Sequence, residues 1–120
     1  DREYYEMVVK GMRAAVDGST GSATCRMAGA ILPGVEVCGK TGTAQNRGKD
    51  HSVFMGFAPM DNPKIAIAVY VENGGFGATY GVPIGAMMMD QYLHGKLSPE
   101  NEIRAEEFSN RGILYGDEER

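Results

Sequence analysis

The feature that most constrains the fold is a run of three apolar, β-favouring stretches, 35–45, 52–59 and 64–73, joined by links of only a few residues. Links this short cannot hold the crossover that parallel strands need, so the stretches should pair as an antiparallel meander. The first link, 46–50, is polar with Gly48 in its middle and reads as a hairpin loop. The second carries Asp61-Asn62-Pro63, which is strong turn chemistry. The middle stretch is apolar on both faces, Val53, Met55 and Phe57 against Phe54 and Ala58, which predicts a central strand. In the third, Ile65, Ile67, Val69 and Val71 alternate with Ala66, Ala68 and Tyr70. The bulky set should fill the core, and the alanines should let a helix sit close to the sheet.

Helices are expected on both sides of this meander. Tyr5, Val8, Met12, Ala15 and Val16 recur at three- and four-residue spacing, an amphipathic stripe over 2–16 that Asp1 can cap and Asp17-Gly18 can end. The stretch 18–29 reads as a loop with one helical turn near 23–27, and Pro33-Gly34 turns the chain into the first strand. After Gly74, Gly75 and Gly77, a helix is predicted over 82–94, with Pro83 in its first turn, Gly95 as its stop and Met87-Met88-Met89 as adaptable packing. Ser98-Pro99-Glu100 starts a shorter, charged helix that should add little core, and 116–120 reads as a loose tail. The fold class is α+β: a three-stranded antiparallel meander packed by an N-terminal and a C-terminal helix, all within one domain over 1–120.

Composition closes off several functions. With 42% hydrophobic residues and mixed charge, the chain is neither disordered nor fibrous. A net charge of −4 gives no basic footprint, so nucleic acid is not an expected partner. No stretch approaches the ~20 apolar residues of a membrane span, and no signal peptide opens the chain. Its opening at Asp1, directly in a helical pattern, suggests a piece of a longer protein. Cys25 and Cys38 fit no zinc or C-x-x-C spacing and are expected as reduced, half-buried thiols; no metal and no cofactor is expected.

One stretch concentrates chemistry: Gly39-Lys40-Thr41-Gly42-Thr43-Ala44-Gln45. Strand alternation sends Lys40 and Gly42 to one face and Thr41 and Thr43 to the other. A bare Gly42 inside a strand is a place where another backbone can lie close. Residues 34–41 also spell G-x-x-x-x-G-K-T, but a phosphate loop needs a flexible cradle and a following helix. Here the would-be cradle 35–38 is strand-like and carries Glu36. Gly75-x-Gly77 lacks the third glycine of a dinucleotide turn at its proper place and reads as a strand-to-helix loop. His51 and His94 stand apart from each other and from carboxylates at ligand spacing; His51, close to the hairpin, could face a cleft.

Serine acyl-transfer enzymes combine S-x-x-K, S-x-N and K-T-G elements. The wording 38–45, followed by His51-Ser52-Val53-Phe54-Met55-Gly56-Phe57-Ala58-Pro59, the turn at 61–64, the third strand and a glycine-led helix, resembles the C-terminal end of a penicillin-binding transpeptidase domain. The likeness is to the class B, elongation-type group typified by penicillin-binding protein 2, and it covers about 1–95, with 96–120 left as a short helix and tail. The resemblance implies a part of the β-lactamase/transpeptidase-like fold. It also implies a parent protein at the periplasmic face of the bacterial inner membrane that cross-links peptidoglycan stem peptides through a serine acyl-enzyme and binds β-lactams. It assigns Lys40 to charge and proton handling, Thr41 and Thr43 to the terminal carboxylate, the Thr43 N–H to the oxyanion, and Gly42 to substrate clearance. Ser19, Ser22, Ser52, Ser98 and Ser109 are followed by neither lysine three places on nor asparagine two places on. The nucleophile and its base are therefore expected outside this chain, which alone should be inactive. Cutting the sheet here should leave 64–73 as an edge prone to self-association. A β-lactamase fragment and a non-catalytic interaction module are the rival readings.

Overall fold

A computed structural model describes residues 1–19 and 23–111. The chain runs α1 (Arg2–Asp17), α2 (Arg26–Ile31), β1 (Cys38–Ala44), β2 (His51–Ala58), β3 (Ile65–Val71), α3 (Gly81–His94) and α4 (Pro99–Ser109). The strands form one antiparallel sheet in the order β1-β2-β3, with Thr41 opposite Phe54 and Phe54 opposite Val69. The expected meander and its central strand are both present.

The core is built around Phe54, which is fully buried. A methyl group added to Gly39, Gly56 or Gly85 would lie 2.6 Å from an atom of its ring, and one added to Gly81 would lie 3.1 Å from its Cβ. Glycines of β1, β2 and α3 thus enclose the ring from three elements, and α3 can approach the sheet only because of Gly81 and Gly85. This corrects the expectation for the third strand. The helix packs on the bulky face, against Val69, while Ala66, Ala68 and Tyr70 are exposed. The small residues that permit close approach belong to the helix, not to the strand.

Other expectations shift in the same physical way. In α1 only Ala14 and Val16 are buried, whereas Tyr5 and Val8 are 76% and 61% exposed. Periodicity marks an apolar face, but only the C-terminal half of α1 reaches β1 and α2. Asp1 sits at the N-cap position without a side-chain cap bond, its carbonyl accepting from the Tyr5 N–H instead. Gly18 ends the helix in the left-handed region (φ 77°), as its place after Asp17 suggested. The short turn near 23–27 is in fact α2, about three residues later, where Ala28 and Ile31 face the core. Residues 20–22 and the tail 116–120 lie outside the described residues.

Helix α4 is the largest departure. It was expected to contribute little core, yet Asn101 is fully buried. Its Nδ2 donates to the Ile31 carbonyl at 2.8 Å and to Asp90 Oδ2 at 2.7 Å, and its Oδ1 accepts from Arg104 at 2.7 Å. Asp90 also accepts from the Ser98 N–H at 3.1 Å and lies 2.6 Å from His94 Nδ1. Burial pushes the Asp90 carboxyl up, but Asn101, His94 and Ser98 together outweigh it and hold the group below its ordinary range. A polar network, together with Ala105 and Phe108 packed against the core, fastens α4 to α2 and α3.

Candidate active-site wall on strand β1

Strand β1 borders the sheet, and its outer side is closed at one end and open at the other. Cys38 and Gly39 are buried, and Arg13 of α1 donates to the Val37 carbonyl at 2.8 Å beside them. From Lys40 onward the strand emerges: Lys40 and Thr43 are exposed, Thr41 and Gly42 half-buried. Register places Lys40 and Gly42 with Met55 and Val53, and Thr41 and Thr43 with Phe54 and Ser52, so the lysine and the hydroxyls occupy opposite faces as alternation predicted.

The backbone reunites them at the edge. Gly42 O and Val53 O lie 3.0 and 2.5 Å from a single point, the place a Cβ on Gly77 would take, as carbonyls turned toward each other across two strands do. Gly42–Val53 is then a hydrogen-bonded pair, and alternation turns the N–H and C=O of Thr41 and Thr43 outward, away from β2. Lys40 Nζ curls onto the Thr41 carbonyl at 2.6 Å, bringing its cation to this outer edge. Among the described residues, no bond outside the strand ladder takes the Thr43 N–H or C=O. The edge therefore offers a cation, two hydroxyls and one unused donor–acceptor pair.

Gly42 differs from the other glycines of the sheet. A Cβ there would meet Val53 at 3.6 Å, an ordinary contact, so the fold itself has room for a side chain. Gly77 is the reverse: its Cβ would fall 2.5 Å from Val53 O and 2.9 Å from Thr41 Cβ. The loop before α3 thus presses against the back of Thr41, a role that its glycine-rich sequence hinted at without locating.

Two further residues were not placed at this site from sequence. Ser52, opposite Thr43, is fully buried; its hydroxyl donates to the Phe76 carbonyl at 2.9 Å and accepts from the Gly81 N–H at 3.0 Å, tying β2 to the start of α3. A lone serine in an apolar strand was the available signal. Cys25 lies beneath the site; burial raises its thiol, offset in part by Thr24, by the Lys40 charge and by the Thr41 N–H. Cys38 is likewise pushed up by burial, to about 11. Both thiols are free and fully buried rather than half-buried.

The remaining candidates lie elsewhere or serve the scaffold. His51 Nδ1 accepts from the Asn73 N–H at 2.9 Å, and its ring stands 5.1 Å from that of Tyr70. His94 belongs to the Asp90 network. Residues 34–41 form a turn and the start of β1, with no helix following Thr41, so the phosphate-loop spelling has no matching structure. No three His, Cys, Asp or Glu among the described residues are grouped to hold a metal, and no helix among them is long and apolar enough to cross a membrane.

Residues 1–92 match the model of the penicillin-binding protein transpeptidase domain. The chain belongs to that family. It is 31% identical over 109 residues to the peptidoglycan D,D-transpeptidase MrdA of Haemophilus influenzae, covering 78% of this chain and 16% of that protein. It is 40% identical over 76 residues to the peptidoglycan D,D-transpeptidase PbpA of Mycobacterium tuberculosis, covering 54% and 15%. Among solved structures, Pseudomonas aeruginosa PBP2, crystallised with WCK 5153, superposes with a TM-score of 0.71 at 43% identity, over 83% of this chain and 22% of that one. A complex of PBP2 with MreC from Helicobacter pylori gives 0.55 at 27% identity, over 71% and 16%. The relatives are of the PBP2 type, and the three strands with their helices are part of the β-lactamase-like transpeptidase fold. The chain spans about a sixth of the length of these curated relatives.

Proposed function

We propose that this chain forms the substrate-binding wall of a peptidoglycan D,D-transpeptidase of the outer face of the bacterial inner membrane, an enzyme that β-lactams inhibit as mimics of the stem-peptide terminus. Lys40 supplies positive charge and joins the proton network of a serine carried elsewhere in the parent. Thr41 and Thr43 hold the terminal carboxylate, and the outward Thr43 N–H is one donor to the oxyanion. The peptide adds to the open edge of β1 as a strand, passing over Gly42. The observation that carries this reading is Gly42: its own fold leaves room for a methyl group, yet the position is bare on an edge whose Thr43 N–H and C=O are unused. The described serines supply no nucleophile near this edge, since the Ser52 hydroxyl is buried and bonded twice.

Fluorescent penicillin tests it in the full-length protein that carries this segment. Labelling should be stable, fall by about a hundredfold or more in Lys40→Ala, and slow in Gly42→Ala while unfolding stability changes by no more than about 0.5 kcal/mol. The isolated chain should not label. Rapid turnover of the drug would instead identify a β-lactamase, and a folded full-length protein that takes no label would sink both and leave the interaction module.

A further inference from the structure

The loop 72–80 crosses the end of the sheet from β3 to the back of β1, and the start of β2 holds it down along the way. The last rung of the β2–β3 ladder joins Ser52 to Val71. Beyond it the Gly74 N–H closes a turn onto the Val71 carbonyl at 3.1 Å, with Asn73 in the left-handed region at φ 58°. His51 then takes the place of a further rung: its Nδ1 accepts from the Asn73 N–H at 2.9 Å. The Asn73 side-chain oxygen accepts from the Asn46 amide at 2.5 Å, and the Gly75 N–H donates to the Asp50 carbonyl at 2.7 Å. The Ser52 hydroxyl next holds the Phe76 carbonyl at 2.9 Å, and Gly77 arrives at Thr41.

The far end of this strap is where the candidate site begins. Gly77 is buried, and a Cβ on it would lie 2.9 Å from Thr41 Cβ and 3.0 Å from Gly42 O. Thr41 therefore cannot shift inward without displacing Gly77, and Gly77 cannot withdraw without pulling on the bonds at 73–76. The bond from Gly75 involves no side chain, and Ser52 is fully buried, so truncating Ser52 would strand the Phe76 carbonyl and the Gly81 N–H. His51 is different: it is half-buried, and its ring lies 5.1 Å from that of Tyr70, itself exposed.

We infer that His51 is a positioning residue for acyl transfer: by accepting from the Asn73 N–H it fixes the 73–77 strap, and through Gly77 it sets where Thr41, Gly42 and the Thr43 N–H stand. This rests on the transpeptidase reading above. What His51 supplies is a lone pair at one place, not a ring or a charge. The competing role is to finish the end of the sheet alone, which would cost stability without altering the chemistry of the folded protein.

The test follows acylation by a fluorescent penicillin over time, at a range of drug concentrations, in the full-length protein; this separates drug binding from the bond-making step. His51→Phe keeps a ring beside Tyr70 but offers no acceptor, whereas His51→Asn gives up the ring and places its amide oxygen where Nδ1 stands. The phenylalanine variant should lose about tenfold or more in the acylation rate constant, with a smaller change in the half-saturating drug concentration. The asparagine variant should return to within about threefold of the unsubstituted protein. Asn46→Ala, at an exposed position, should slow the same step by about three- to tenfold, whether or not the phenylalanine variant folds. Folded His51→Phe acylating at the unsubstituted rate, His51→Asn as slow as His51→Phe, a loss carried by drug binding alone, or an unchanged rate in Asn46→Ala overturns the inference. Labelling of the unsubstituted protein separates the two levels: labelling with equal rates in the variants removes the role of His51 alone, and absence of labelling removes the transpeptidase reading with it.

Discussion

Two glycine-to-alanine substitutions in two helices should change stability in opposite directions. In α1, Gly11 has nothing within 4 Å of the position a Cβ would take, so Gly11→Ala should recover the helix-propensity difference, about 1 kcal/mol of stabilisation. In α3, Gly85→Ala gains the same propensity but places a methyl 2.6 Å from Phe54 Cδ2, 2.8 Å from Cε2 and 3.3 Å from Val69 Cγ2. The ring already fills the space that side chains at Gly39 and Gly56 would take, so it is enclosed by backbone on those sides. Overpacking of this kind costs up to about 3 kcal/mol, leaving a net loss of about 2 kcal/mol. Equilibrium urea unfolding followed by circular dichroism reads both values, with the midpoint moving up for Gly11→Ala and down for Gly85→Ala. Phe54→Leu in the Gly85→Ala background should recover part of the loss, so the double variant should be more stable than the two single effects summed. If Gly85→Ala proves as stable as the unsubstituted protein, or the Phe54 cycle shows no coupling, the enclosure of the ring is not what sets the distance between α3 and the sheet.

The Asp90 network carries a pH signature. A carboxyl held below its ordinary value of 3.8 contributes stability that is fully present above that value and lost as pH falls through the lower folded-state value. Melting temperature should therefore fall on acidification below about pH 4 and do so less in Asp90→Asn, a variant that should itself cost about 1–3 kcal/mol at neutral pH; identical acid limbs in both proteins would refute this. Cys25 and Cys38, buried and with raised thiols, should resist iodoacetamide at pH 8 in the folded protein and react once urea unfolds it, whereas rapid labelling without denaturant would contradict their placement. The isolated chain should self-associate through the unpaired side of β3 at micromolar concentration, and a monodisperse monomer in sedimentation velocity would count against that.

Much of the architecture was legible because strands and turns leave local marks. Asn62 sits in the turn between β2 and β3 with φ 53°, a left-handed conformation that asparagine tolerates, and the alternation in 64–73 separates inward from outward residues correctly. What the alternation could not convey is which layer covers each face. Ala66 and Ala68 look like a helix platform only until Gly81 and Gly85 are seen to supply the clearance from the other side. Tyr5 and Val8 have the right spacing for a core stripe, and nothing in that spacing tells how far the neighbouring elements extend. At the candidate site, the K-T-G wording and its faces were readable. The outward turn of the Thr43 backbone and the curl of Lys40 onto Thr41 depend on strand pairing and side-chain conformation, which one strand's sequence does not contain. The hold on α4 escaped for another reason: Asp90 and Asn101 are polar, and a hydrophobic pattern passes over them.

That hold also bears on where this unit ends. The family match stops at residue 92, between Asp90 and the residues that satisfy it, His94, Ser98 and Asn101. A chain trimmed at the match would leave a buried carboxylate stripped of its donors and the Ile31 carbonyl without its amide. The cooperative folding unit therefore extends through α4, and the boundary drawn by kinship runs through the middle of a single hydrogen-bonded knot.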